Sequence, residues 1–135
     1  VYPSPVIAED ARAVEIEHYR RMFRRPRLPT AIFAINDITA SLVFRAAKAE
    51  GIRVPEDIAL VGFDDDDYAR ELEVPLTTVA QPWFEIGARA AHLLIDRLRG
   101  ANPGALEQVL LPTHLVIRQS CGEALHEPRA PVSGS

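Results

Sequence analysis

Two apolar runs end directly at short polar side chains that could bind a ligand. Residues 31–35 are followed by Asn36 and Asp37, and residues 58–63 are followed by four consecutive aspartates at residues 64–67. Both runs predict strands, and ligands of open α/β sheets bind beyond the carboxyl ends of parallel strands. Amide and carboxylate oxygens at two such ends predict part of a binding site for a molecule rich in hydroxyl or amine groups.

Each polar cluster has other interpretations. Asn36 and Asp37 are also good caps for a following helix, and spacing alone favours capping. The aspartates could form a solvated acidic turn, or a site for Mg²⁺ or Ca²⁺, which prefer carboxylate oxygens. A Mg²⁺-dependent phosphotransfer centre would need a second acidic site and a lysine at another strand end. The one lysine, Lys48, lies in a predicted helix that faces away. We expect no metal and no cofactor.

Other catalytic patterns are missing from the sequence. The four histidines are scattered without metal-ligand spacing, and Cys121 is the only cysteine, which excludes an internal disulfide. The sequence contains no G-x-S-x-G elbow, no Walker loop and no G-x-G-x-x-G motif. These observations favour a binding protein over an enzyme.

Length and composition indicate one domain with a packed core. The chain has 135 residues, of which 47 % are hydrophobic, and a net charge of -4, which does not favour nucleic-acid binding by this segment. No apolar run approaches the roughly 20 residues that span a bilayer. The chain does not begin with Met, and its first residues do not resemble a signal peptide, so we expect a processed chain or a fragment.

Periodicity and breakers predict alternating helices and strands. Strand 31–35, helix 38–50 and strand 58–63 form a β-α-β unit, and Gly51 is placed to end its helix in a left-handed conformation. Strand 58–63 is almost entirely apolar, which predicts helices on both faces of a parallel sheet. The remaining predicted elements are helix 8–25, an extended connector at 75–79, helix 83–98 and extended pieces at 109–111 and 114–119.

Four segments together resemble one known family. They are PTAIFAIND at residues 29–37, VPEDIALVGFDD at 54–65, PLTTVAQP at 75–82 with Gly87, and LLPTHLVIRQS at 110–120. Their order and gaps are similar to those of the lac repressor (LacI/GalR) family over about residues 29 to 121. Four linked motifs are far more specific than any one of them.

The resemblance implies a periplasmic-binding-protein-like type I fold, in which two α/β lobes joined by three crossover strands close on a small ligand. This chain would supply the C-terminal portion, without the helix-turn-helix and without the first half of the effector domain. Residues 1–28 form an N-terminal arm and helix that match weakly, residues 29–122 form the C-terminal part of the effector domain, and residues 123–135 are expected to be disordered.

The family's ligand contacts fall on Asn36 and Asp64, and Gln81 lies near the hinge, where it is expected to contact ligand. The helix after Asn36 and the stretch after the aspartates help to form the dimer in this family. The corresponding residues of this chain are Ser41, Leu42, Arg45, Tyr68 and Leu72.

The function implied is that of a cytoplasmic, homodimeric transcriptional regulator that senses a sugar or a related metabolite. Its contact with a DNA operator would be made only through a helix-turn-helix that this chain lacks, and no membrane would be involved. A periplasmic sugar-binding protein of a transport system, built on the same fold, is the alternative.

Overall fold

The computed structural model describes residues 9–100 and 107–123. Its helices are α1 (Glu9–Phe23), α2 (Asp37–Ala49) and α3 (Trp83–Leu98), with a short 3₁₀ helix at Asp67–Arg70. Its strands are β1 (Ala31–Phe33), β2 (Ala59–Asp64), β3 (Thr77–Ala80) and β4 (His114–Val116). The predicted tail lies outside the described residues except for Glu123, and so does the whole arm before α1.

The predicted elements are present, with shifts at their ends. Helix 83–98 has the predicted bounds, and α2 begins one residue earlier than expected because Asn36 is its cap. Gly51 has φ +73°, which is the left-handed conformation expected at the end of this helix. The extended piece predicted at 109–111 pairs with no strand, and of the piece predicted at 114–119 only His114–Val116 forms a strand.

The four strands form one sheet in the order β1-β2-β3-β4. Strands β1, β2 and β3 are parallel, and β4 is antiparallel to β3. The expected parallel sheet is therefore a mixed, mostly parallel one, because β4 runs back along β3 after α3. Phe33 lies opposite Val61, so β1 and β2 end at the same edge.

The core lies between one face of the sheet and two helices. Helix α2 packs on β2, and α1 packs on α2. Small side chains at Ala40, Ala46 and Ala47 let these layers approach closely, while Leu60 of β2 and Leu76, which directly precedes β3, are among the largest fully buried side chains.

Two arginines join α1 to the end of α2. Arg20 and Arg24 donate to the Glu50 carboxylate at 2.6 and 2.8 Å. Hydrogen bonds from Arg24 and Arg20 lower the pKa of Glu50 to about 2. Two of the arginines at the end of α1 therefore belong to an ion-pair network with Glu50.

The other face of the sheet is open in the described residues. Phe33 is 64 % exposed and Leu115 is 55 % exposed, although both are apolar strand residues. None of the residues of α3 is buried. Within the described residues the prediction of helices on both faces is therefore met on one face only, where α2 packs on β2 and α1 packs on the outside of α2. No described helix is long and apolar enough to cross a membrane.

Leu60→Ala should destabilise the protein by about 2–5 kcal/mol, because it leaves a cavity in the core between β2 and α2. Chemical denaturation measures the change. Val14→Ala is the matched control: Val14 is 71 % exposed on α1, so the same kind of truncation should change stability by no more than about 0.5 kcal/mol. Equal effects of the two substitutions would contradict this placement of the core.

Candidate functional site

Asn36 lies at the end of β1 and caps α2. Its backbone is extended, and its side-chain oxygen accepts a hydrogen bond from the Thr39 N–H at 2.8 Å. The capping interpretation is therefore confirmed for Asn36. Within the described residues no hydrogen bond uses its Nδ2 group, so the same side chain can offer N–H donors to a ligand.

Asp64 and Gln81 lie in direct contact. Gln81 Nε2 donates to Asp64 Oδ1 at 2.7 Å, and Trp83 Nε1 approaches the Asp64 carbonyl at 3.4 Å. Asp64 ends β2 and Gln81 follows β3, so two neighbouring strand ends bring together these two residues predicted from the sequence. Asn36 lies beyond the next strand end along the sheet, at the same edge.

The backbone turns sharply at the aspartates. Asp64 has φ +117° and Asp65 has φ +57°, a region that L-residues other than Asn and Asp rarely adopt. Such residues cost about 1–3 kcal/mol each and persist where their surroundings fix them. The neighbouring contacts of this loop must therefore hold it in place.

One of these contacts is an ion pair between Asp65 and Arg118, both mostly buried. The Arg118 guanidinium also donates to the Leu76 carbonyl at 2.7 Å, and Arg70 lies 3.3 Å from the Asp65 carboxylate. Burial opposes ionisation of Asp65, but the two guanidinium groups outweigh it and hold the pKa of this carboxyl below its ordinary value. No sequence pattern indicates this pair, whose members are 53 residues apart.

A second contact involves Asp37, which points into the protein and not toward a ligand. Its side chain is 0 % exposed, and it accepts hydrogen bonds from the Asp66 N–H at 2.9 Å and the Thr78 hydroxyl at 2.6 Å. Burial raises the pKa of Asp37, and the charges of Asp66 and Asp64 act in the same direction, whereas the two hydrogen bonds oppose them.

The residues expected at a dimer interface have mixed environments. Leu42 is buried within this chain, and Leu72 packs against the core. The Ser41 hydroxyl donates to the Ile38 carbonyl at 2.7 Å, while Arg45 is exposed. Burial of the Tyr68 ring raises the pKa of its hydroxyl, which has no hydrogen bond in the described part of the chain. Arg45 is thus the most open of the five.

The four aspartates do not converge on one point. Asp65 is in the ion pair, Asp64 contacts Gln81, and Asp67 begins the 3₁₀ helix. Over residues 9–100 and 107–123, no three His, Cys, Asp or Glu side chains are grouped so that they could hold a metal ion.

The family pattern of a periplasmic binding protein-like domain matches residues 1–121 of this sequence. The chain belongs to this family. It is 41 % identical over 95 residues to the HTH-type transcriptional repressor CytR of Escherichia coli strain K12, a match that covers 70 % of this chain and 28 % of the relative. The chain thus spans about a quarter of the length of the curated relatives it matches.

Solved structures of LacI-family regulators share this fold. A LacI family transcriptional regulator from Arthrobacter sp. FB24, in complex with lactose, is 33 % identical with a TM-score of 0.73, covering 82 % of this chain and 41 % of that one. The lac repressor dimer bound to operator and the anti-inducer ONPF is 30 % identical with a TM-score of 0.71, covering 78 % and 36 %. The resemblance to the lac repressor family is confirmed, and this chain corresponds to the C-terminal part of the effector domain.

Arg118→Met should destabilise this periplasmic binding protein-like domain by about 2–3 kcal/mol at pH 7. The loss is somewhat below that of a fully buried pair because both side chains retain slight exposure. Because the pKa of Asp65 is lowered by its guanidinium partners, the pair stabilises the fold above the ordinary carboxyl value of 3.8 and loses its effect below it. The gap between variant and wild type should therefore shrink in acid.

Urea denaturation at pH 7 and at about pH 3 measures this difference. Lys48→Met, which removes an exposed ion pair with Glu73, is the matched control and should have little effect at either pH. A gap for Arg118→Met that stays constant or grows in acid would contradict the proposed role of this pair.

Proposed function

We propose that this chain forms the C-terminal half of the effector site of a LacI-family transcriptional regulator, and that the effector is a small molecule rich in hydroxyl groups, such as a sugar. The observation that carries the proposal is the Asp64 carboxylate, held beside Gln81 at the carboxyl edge of the sheet. The relative CytR is a transcriptional repressor, and the Arthrobacter regulator is in complex with lactose.

The unused hydrogen-bonding groups fit such a ligand. Asp64 has a second carboxylate oxygen, Gln81 has its amide oxygen, and Asn36 has its amide N–H groups. Hydroxyl groups can donate to the first two and accept from the third. Hydrogen bonds to a carboxylate are charge-assisted and therefore among the stronger ones. A phosphate group placed against Asp64 would instead be repelled, so a hydroxyl or ammonium group is the expected partner of this side chain.

The position of Gln81 connects ligand binding to a change of shape. Gln81 lies between β3 and α3, and it lines one end of an apolar groove of about 520 Å³ between α3 and residues 107–113. We infer that the other lobe of the effector domain covers α3, so that a ligand bridging Asp64 and that lobe favours the closed arrangement. Effector and operator affinities would then be coupled reciprocally.

The assembly follows from the same proposal. The complete regulator is a cytoplasmic homodimer, in which α2 and the segment after the aspartates contribute to the interface and Arg45 offers the most exposed contact. DNA is contacted by a helix-turn-helix elsewhere in the protein. The transport-protein alternative is less well supported, because the relatives reported above are transcriptional regulators and not transport proteins or enzymes.

Asp64→Asn in the full-length protein should weaken sugar binding roughly 10- to 100-fold, since a hydrogen bond to a charged group contributes about 1.5–3 kcal/mol. Asparagine keeps the shape of the side chain and tolerates positive φ, so the fold should survive. Isothermal titration calorimetry with lactose, ribose and cellobiose measures the affinity, and circular dichroism checks folding.

Asp67→Asn is the control, because it makes the same substitution at the exposed aspartate three residues later. It should leave the affinity unchanged. If Asp64→Asn binds the sugar as tightly as the wild type does, the site is not at Asp64. If the wild type binds none of the three sugars, the proposed effector class is wrong.

A further inference from the structure

The buried carboxylate of Asp37 makes none of the ligand contacts proposed above, yet its hydrogen bonds lead to the residues that follow Asp64. One oxygen accepts from the Asp66 N–H at 2.9 Å, and the other accepts from the Thr78 hydroxyl at 2.6 Å. The Thr78 oxygen in turn lies 3.4 Å from the Asp65 N–H. The two backbone N–H groups directly after Asp64 are thus directed at one carboxylate–hydroxyl pair.

We propose that Asp37, acting together with Thr78, is a positioning residue that fixes the direction of the Asp64 carboxylate. This inference rests on the proposed effector site at Asp64. Asp64 and Asp65 have φ +117° and +57°, so the chain turns out of β2 in a conformation it does not prefer. A loop of this kind keeps one direction only if the groups that follow the turn are held from inside the protein.

An aspartate at position 37 suits this role because it has two acceptor oxygens and both partners are donors. One donor belongs to the loop that follows Asp64, and the other belongs to β3, which precedes Gln81. The Asp37 side chain therefore joins the two segments that carry these proposed ligand contacts. Asp37 and Thr78 are both fully buried, so the loss of either hydrogen bond leaves a polar group without access to bulk water. Because the aspartate side chain is short and starts from the first turn of α2, it keeps both donors close to the beginning of that helix.

Substitutions can remove one or both of these hydrogen bonds. Asp37→Asn retains an amide oxygen for the Asp66 N–H but turns an N–H group toward the Thr78 hydroxyl, whose own hydrogen then loses its acceptor. Asp37→Ala removes both acceptors. Thr78→Val removes the hydroxyl at nearly constant shape, and Thr78→Ser keeps the hydroxyl while removing a methyl group.

The experiment uses the full-length protein and the four variants, with lactose, ribose and cellobiose as probes in calorimetry. Measurements are made at a temperature at which thermal unfolding shows each variant to be folded. Asp37→Ala and Thr78→Val should bind at least about tenfold more weakly, Asp37→Asn should lie between Asp37→Ala and the wild type, and Thr78→Ser should stay within about threefold of the wild type. A residue that only stabilises the fold would shift the melting temperature and leave the affinity of the folded protein unchanged.

Hydrogen exchange without ligand provides an independent readout. The peptide that contains residues 64–68 should exchange faster in Asp37→Ala and Thr78→Val, while peptides of β2 and α2 keep their protection. If Asp37→Ala does not fold, the comparison of Thr78→Val with Thr78→Ser tests the proposal.

The proposal is overturned by either of two results. The first is unchanged affinity and unchanged exchange of residues 64–68 in Asp37→Ala or Thr78→Val. The second is a loss in Thr78→Ser as large as that in Thr78→Val, which would assign the effect to packing of the methyl group. Absence of sugar binding by the wild type contradicts the proposed function instead, and hydrogen exchange then still decides whether Asp37 holds the loop.

Discussion

A buried carboxylate joins three segments of this chain where they meet at the edge of the sheet. Asp37 begins α2, Asp66 follows β2, and Thr78 lies in β3. A carboxyl group removed from water is tolerated only while its hydrogen bonds remain intact. The three segments therefore cannot move independently without leaving that carboxyl group unpaired. The unusual backbone at Asp64 and Asp65 persists under this constraint, and the candidate ligand contact is built on it.

The end of the described chain adds a second restraint to the same loop. Arg118 follows β4 and binds Asp65, while the Ser120 hydroxyl donates to the Leu60 carbonyl at 2.6 Å and accepts from the Thr77 N–H at 2.8 Å. Gln81 connects β3 to α3, and Arg118 follows β4. Both residues contact the aspartate loop, Gln81 at Asp64 and Arg118 at Asp65.

Local patterns carried most of the prediction of the helices, strands and turns, whereas the site residues Asp64 and Gln81 were predicted from the family resemblance. The cap at Asn36, the glycine after α2 and the bounds of α3 depend on neighbouring residues, and the sequence shows them. The direction of Asp37 and the partner of Asp65 depend on residues 41 and 53 positions away, which no local pattern reveals. The alanine-rich α2 has a broad apolar surface, so spacing could not tell that Leu42 faces inward. Helices were expected on both faces of the sheet because an apolar strand indicates that it is covered, but it does not indicate which part of the protein covers it.

Gly62 shows how the inner carboxylate limits the rest of the sequence. Its φ is not positive, so glycine is needed there for space and not for backbone freedom. A Cβ atom at this position would overlap Asp37 Oδ1 and lie 2.9 Å from Leu76 Cδ2. Position 62 therefore tolerates no side chain while Asp37 and Leu76 keep their places, so a substitution at a residue that offers no ligand contact would disturb the site by displacing Asp37.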